Sequence, residues 1–239
     1  MLILALATTT SAGSCALMRD GRLVREHASD TSRPQAARLP GELAALLERE
    51  TVALGEIDAF AVGIGPGSFT GLRVGIATMQ GLALALNRPL IGVSALDALA
   101  RIAFGGSGVQ TGPDPPHVRI ATTRVATWID AWRGEVYAAV YEDDREVEPP
   151  TVDRPEHLLR TLAGRPTLFA GDGAAAHQAV IRTALGPDAS FTEPVMPLLA
   201  GAMAALAMNE LRAGRRPPPH AIRPLYVRRS DAELARDDC

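Results

Sequence analysis

The stretch GIGPGSFTGLRVGIATMQGLALALNRPLIGV, Gly63–Val93, decides the fold. An apolar run over Ala59–Ile64 reads as a buried strand that stops at Gly65-Pro66-Gly67. Two residues free of the usual dihedral limits flank one that is stiff, which makes a tight turn. Ser68 or Thr70 can cap the helix that follows to about Leu86, and Leu90–Val93 resumes a strand. Backbone N–H groups at such a helix start can accept an anion, and a tight turn without a ligand satisfies the same spacing. The turn is not a Walker loop, because Gly-Lys-Ser/Thr is missing. Nor is it a GxGxxG dinucleotide loop, because its glycines fall at 63, 65, 67 and 71.

Within that helix Gly71, Gly75, Thr78, Gly81 and Ala85 recur at steps of three and four, a stripe of small side chains on one face. Leu72, Ile76, Met79, Ala83 and Leu86 cover a neighbouring face. Each interior glycine costs about 1 kcal/mol against alanine, so close contact with another element is the natural compensation. That element is either part of the same domain or a second chain; spacing satisfies both.

Upstream, Leu2–Ala7, Ser14–Met18 and Arg22–His27 read as strands, the last two joined at Asp20-Gly21, a hairpin signal. A helix is expected over Gln35–Glu50, with Leu39, Leu43, Leu46 and Leu47 on one face and Pro40-Gly41 kinking it or delaying its start. Ser94 caps a helix to about Ala103. Residues 105–117, GGSGVQTGPDPPH, read as a linker or long surface loop.

Beyond it the pattern restarts, with strands at Thr127–Asp130, Glu135–Tyr141 and Glu146–Glu148 and a helix over Pro155–Leu162. Then come a strand at Thr167–Ala170, the turn Gly171-Asp172-Gly173, and helices at Ala174–Ala184 and Leu198–Arg212. Setting Ala7 on Asp130 brings Ser14–Met18 onto Tyr137–Tyr141 and Asp20-Gly21-Arg22 onto Asp143-Asp144-Arg145 without a gap. The expected architecture is α/β and duplicated: two mixed-sheet subdomains with flanking helices, the plan of the actin-like (ASKHA, ribonuclease H-like) fold. The domains are expected at 1–104 and 118–212, joined by 105–117, with a Pro/Arg-rich tail at 213–239 and the last helix free to pack back on the first domain.

Composition narrows the chemistry. The 239 residues carry a net charge of −3, which gives no reason to expect autonomous nucleic-acid binding. Every basic residue is arginine, so no lysine Schiff base is available. Two cysteines, Cys15 and Cys239, make no disulfide framework and fit a reducing cytoplasm. The apolar start is too short, and lacks the leading positive charge, for a signal peptide, and no stretch is long enough to span a bilayer.

The segment Gly63–Val93 closely resembles the signature of the TsaB (YeaZ) family. So do Ile129–Tyr137, Gly171-Asp172-Gly173 and Pro224-Leu225-Tyr226-Val227-Arg228. The resemblance implies a partner subunit without catalysis of its own. It would work beside a TsaD-like catalytic subunit and a TsaE-like ATPase that transfer threonylcarbamoyl to N6 of adenosine 37 in tRNAs reading codons beginning with A. It implies a homodimer when alone, tRNA met only through the complex, no membrane, and no cofactor of its own, with ATP or ADP admitted at the interface with partners. It also implies that the first two helices form the self-association or TsaD-binding surface, here Leu39, Leu43, Gly71, Gly75, Thr78, Met79, Gly81, Leu82 and Ala85. In the actin-like fold the hairpin after the first strand of each copy holds nucleotide phosphates. The candidate anion or nucleotide positions are accordingly Thr8, Thr9, Thr10, Gly65, Gly67, Ser68, Thr70, Gly71, Gly171, Asp172 and Gly173.

The chain departs from that pattern at Ala7, where many family members carry Asp, and hydroxyls at Thr8–Thr10 do not replace a carboxylate for Mg²⁺. Asp130 in the second copy is a turn residue or a ligand. The histidines, His27, His117, His157, His177 and His220, include no pair four apart, so no metal site is expected and a metallo-glycoprotease is disfavoured. No catalytic residue is assigned. A nucleotide-binding regulator or weak ATPase is the alternative. Trp132 reads equally as a contact residue or core, and the arginines of the tail as phosphate contacts or a solvated segment anchored by Tyr226.

Overall fold

The computed structural model describes residues 1–10, 13–30, 32, 34–105 and 124–227. Of the expected linker only Gly105 falls within them; His117, Arg228, Arg229 and Cys239 lie outside. The first half runs β1 (Leu2–Ala7), β2 (Ser14–Arg19), β3 (Arg22–Ala28), α1 (Gln35–Arg49), β4 (Ala59–Gly65), α2 (Phe69–Ala85), β5 (Leu90–Ser94) and α3 (Ala95–Ala103). The second runs β6 (Arg124–Asp130), β7 (Val136–Glu142), β8 (Arg145–Asp153), α4 (Pro155–Leu162), β9 (Thr167–Ala170), α5 (Asp172–Ala176), α6 (Gln178–Leu185), β10 (Ala189–Phe191) and α7 (Ala200–Arg212).

The two five-stranded sheets have orders β3-β2-β1-β4-β5 and β8-β7-β6-β9-β10, the same topology twice. In each, two antiparallel pairs precede two parallel ones. β1 ends at Ala7 paired with Ser14, and β6 ends at Asp130 paired with Val136, so Ala7 and Asp130 are equivalent strand ends as aligned. Ser14, however, corresponds to Val136, and the gapless match to Tyr137 is one residue out, because the turn after β6 is one residue shorter. The fold is the duplicated actin-like one.

Alternation distributes each central strand between two cores. Leu2, Leu4 and Leu6 of β1 join Phe60 and Val62 of β4 beneath α1 and α2. Ile3, Ala5 and Ala7 face the other way, into a core shared with α3, α7 and residues of the second sheet. A third core lies beneath α4 and α6, around Trp128, Phe169 and Ile181. α7, from the second half, packs on β1, β2 and β4, while α3, from the first, packs on β6 and β9. Each half therefore covers part of the other's sheet. The α7 start is held by β2 and β3: Ser14 Oγ accepts from Leu199 N (3.3 Å) and Ala200 N (3.0 Å), and Glu26 Oε1 accepts from Gly201 N (2.9 Å). A carboxylate there meets the positive helix end.

Several elements depart from expectation. Pro40 neither delays nor splits α1, which starts at Gln35; burial of Leu39, Leu43, Leu46 and Leu47 outweighs the one lost helical bond. β8 runs through Pro149 and Pro150 because it is an edge strand, where a missing N–H costs little. β6 starts earlier, at Arg124, a buried charge facing Glu142 and Glu148 that interrupts the apolar pattern. The single helix expected after Gly171 is two. α5 follows the back of β6 and α6 turns to pack with α4, so the axis changes at His177. β10, three residues long, was below the length at which alternation can be read.

Candidate functional site

The Gly65–Gly71 turn is closed by the chain itself. Ser68 caps α2, its Oγ accepting from Gly71 N at 3.2 Å. The Ser68 amide donates to the Thr9 carbonyl at 2.8 Å, so the loop after β1 lies on the helix start. Thr8 and Thr9 are fully buried there. A Cβ on Gly71 would overlap the Thr8 carbonyl oxygen, and one on Gly75 would overlap Thr8 Oγ1. Two of the stripe's glycines are thus notches that receive Thr8. The Thr8 and Thr9 hydroxyls have no hydrogen-bond partner among the described residues, and Thr8 Oγ1 lies against the helix.

The rest of the stripe divides. Thr78 donates to the Val74 carbonyl (2.8 Å) and is half-buried, as is Leu82. A Cβ on Gly81 would meet nothing within 4 Å, and Gly81, Leu84 and Ala85 are exposed. Leu39, Leu43 and Met79 are sealed in the first-half core and leave no surface for a second chain. The accessible face of α2 is therefore Phe69, Thr70, Arg73, Ala77, Gly81, Leu84 and Ala85.

In the second copy the turn after β9 does similar work. Gly171 and Gly173 let the start of α5 approach the backbone of Trp128 and Ile129. Asp172 Oδ1 accepts from Asp130 N at 3.0 Å, and Asp130 Oδ1 accepts from Trp132 N at 2.9 Å. Burial pushes the Asp172 carboxyl up, and the nearby Asp130 charge adds to this. Asp130, the equivalent of Ala7, thus orders the β6–β7 turn. Trp132 at its tip is 55% exposed, outside the core. Between the halves, Thr10 faces Asp172 across a crevice also lined by Leu99, Met196 and Leu199, with a volume of about 10 Å³. That is the space of one water. A carboxylate and a hydroxyl do not neutralise phosphate.

Among the described residues no group of three His, Cys, Asp or Glu side chains is placed to hold a metal. His157 pairs with Asp153 (2.9 Å) on the surface. Burial, then the Glu42 and Glu26 charges, push the Cys15 thiol up to about 12, so it stays protonated. No helix of the described residues is long and apolar enough to cross a membrane.

Sequence reading did not find the cluster formed where the tail meets α2. Residues 218–227 run back along the helix. Gln80 Nε2 donates to the carbonyls of Pro219 (2.9 Å) and Ile222 (3.1 Å), and Leu225 N donates to the Ile64 carbonyl (2.7 Å). Tyr226 Oη accepts from Arg73 Nε at 3.1 Å, while the Arg73 guanidinium carbon lies 3.8 Å from the centroid of the Phe69 ring. These partners are 153 positions apart, and although Pro224–Arg228 matched the family signature, nothing local to it pointed to Arg73.

The family model for TsaD, tRNA N6-adenosine threonylcarbamoyltransferase, matches residues 27–236. The tRNA threonylcarbamoyladenosine biosynthesis protein TsaB of Escherichia coli is 41% identical over 144 residues, 60% of this chain and 56% of that protein. The chain thus spans little more than half the length of that relative. An uncharacterised protein of Mycobacterium tuberculosis is 34% identical over 97% of this chain and 93% of its own. The solved YeaZ structure from Pseudomonas aeruginosa is 32% identical, with a TM-score of 0.71, over 94% of this chain and 100% of that one. An activator of 2-hydroxyisocaproyl-CoA dehydratase from Clostridium difficile, 11% identical with a TM-score of 0.56, shares the fold alone.

Proposed function

The chain belongs to the TsaD family, among its TsaB (YeaZ) members, and we propose that it serves tRNA threonylcarbamoyladenosine biosynthesis as a partner subunit without catalysis of its own. The observation that carries this reading is the loop after β1. Ala7 is buried where a metal-holding acid would stand, and Thr8 and Thr9 are spent on close contact with α2. What α2 leaves exposed is an apolar face suited to another protein. A TsaD-like subunit docks there, a TsaE-like ATPase joins the assembly, and tRNA is engaged by the whole. In the absence of these partners a second copy takes the same face.

Reconstitution tests this. Purified chain with its TsaD and TsaE counterparts should modify tRNA, and leaving the chain out should abolish modification. Full modification without it would overturn the reading. A second reading, a nucleotide-binding regulator or weak ATPase, is favoured by Thr10 and Asp172 facing each other across the crevice. Calorimetric titration separates the two: nucleotide binding that Asp172→Asn abolishes supports the second, and no heat up to millimolar ATP or ADP removes it.

A further inference from the structure

Arg73 is exposed on α2, yet it is not a loose surface arginine. Its guanidinium lies on the face of Phe69, 3.8 Å from the ring centroid, and its Nε donates to Tyr226 Oη. The Phe69 and Tyr226 rings stand 5.6 Å apart, so three side chains from two distant segments brace one another. Phe69 is 44% exposed and Tyr226 47%, large apolar areas to leave in water. Stacking fixes the plane of the guanidinium, and the Nε bond fixes its rotation. Its terminal Nη donors are left to other partners, since among the described residues Arg73 bonds Tyr226 through Nε, stacks on Phe69 and forms no ion pair with a carboxylate. Ordinary surface arginines lose conformational freedom when they bind; this one has lost much of it already.

We propose that Arg73 is the polar anchor of the partner-binding face and receives a carboxylate from an acidic side chain of the docking subunit. Phe69 and the tail residue Tyr226 act as positioning residues. This rests on the partner-subunit reading above. Charge complementarity selects the occupant, because a pre-formed guanidinium fork matches a carboxylate in two-point geometry. The surroundings favour protein over nucleic acid, because the anchor continues into the exposed and apolar Ala77, Gly81 and Leu84 of α2. Tyr226 reaches the anchor only because Leu225 N is tied to Ile64 and Gln80 holds the carbonyls of Pro219 and Ile222. Docking of the tail is thereby linked to recognition of the partner.

The test is the affinity of the full chain for its purified TsaD-like counterpart at low and moderate salt. Arg73→Ala should weaken binding at least about tenfold and flatten its salt dependence. Arg73→Lys should restore only a minor part, since lysine keeps the charge but loses the fork. Tyr226→Phe, which removes only the oxygen that aims Arg73, should weaken binding a few-fold. Circular dichroism of each variant should match the parent. Unchanged affinity in Arg73→Ala, or full recovery in Arg73→Lys, overturns the anchor and leaves the partner reading standing. Failure of the parent chain to bind at all removes both. Loss of tRNA binding by the assembled complex, with subunit affinity intact, would make the anion a phosphate and the proposal wrong.

Discussion

Thr8 occupies the notch left by the missing side chain of Gly75, its Oγ1 lying where a Cβ would begin. Gly71 provides the same clearance for the Thr8 carbonyl. The loop after β1 and the helix after β4 are thereby locked together, and two of the three glycines of an apparently interactive stripe are consumed within the chain.

Gly75→Ala should therefore destabilise the isolated chain by about 1–3 kcal/mol, because a buried β-branched side chain and a helix backbone must both give way. Gly81→Ala should do the opposite and stabilise by up to about 1 kcal/mol, since open space surrounds that position and only helix propensity changes. Urea denaturation of both variants checks this; equal effects would contradict it.

Gly81→Trp and Ala85→Trp should leave the melting temperature of the monomer nearly unchanged while impairing association with the partner, because both positions are exposed on α2. Size-exclusion chromatography with light scattering reads out the complex. Unimpaired assembly by both would move the interface elsewhere.

Tyr141 Oη donates to Asp97 Oδ1 at 2.6 Å and joins β7 of the second half to α3 of the first. Burial raises the Asp97 carboxyl, and the Tyr141 hydrogen bond partly opposes this. A folded-state pKa above the unfolded value near 3.9 contributes stability that is fully present below that value and is lost as pH rises through the folded one. Asp97→Asn should flatten that part of the dependence, so the melting-temperature difference between parent and variant should shift with pH across the acidic range above 4. Tyr141→Phe should cost about 1–3 kcal/mol by leaving a buried carboxyl acceptor unmet. Melting curves from pH 4 to 7 check both.

Asp172→Ala should cost about 1–3 kcal/mol, because the Asp130 amide loses its acceptor. Asp172→Asn, which keeps an acceptor oxygen, should cost much less. Equal losses in the two variants would show that charge, and not this hydrogen bond, is what the turn requires.

Much of this was legible in the chain. The unbroken apolar run of Leu2–Ala7, turn chemistry at Asp20-Gly21 and Asp143-Asp144, and the strand-turn-helix of Gly63–Val93 each act over a few residues, where backbone stereochemistry and burial are set by neighbours. Their repetition exposed the duplicated sheet. The breaks came where context overrode local preference: prolines tolerated in the edge strand β8, Arg124 buried at the start of β6, the turn of axis at His177.

The candidate site was less legible, for the same physical reason. That α2 carries small residues is a property of Gly71, Gly75 and Gly81 themselves; that Thr8 fills two of those gaps and leaves the third open depends on how the β1 loop lands on the helix. The meeting of Arg73 with Tyr226 spans 153 positions; each sits in a recognisable motif, but no period or spacing within either motif pairs them. Local sequence sets which backbone shapes are cheap, whereas contacts between distant segments come from filling space once those shapes are packed.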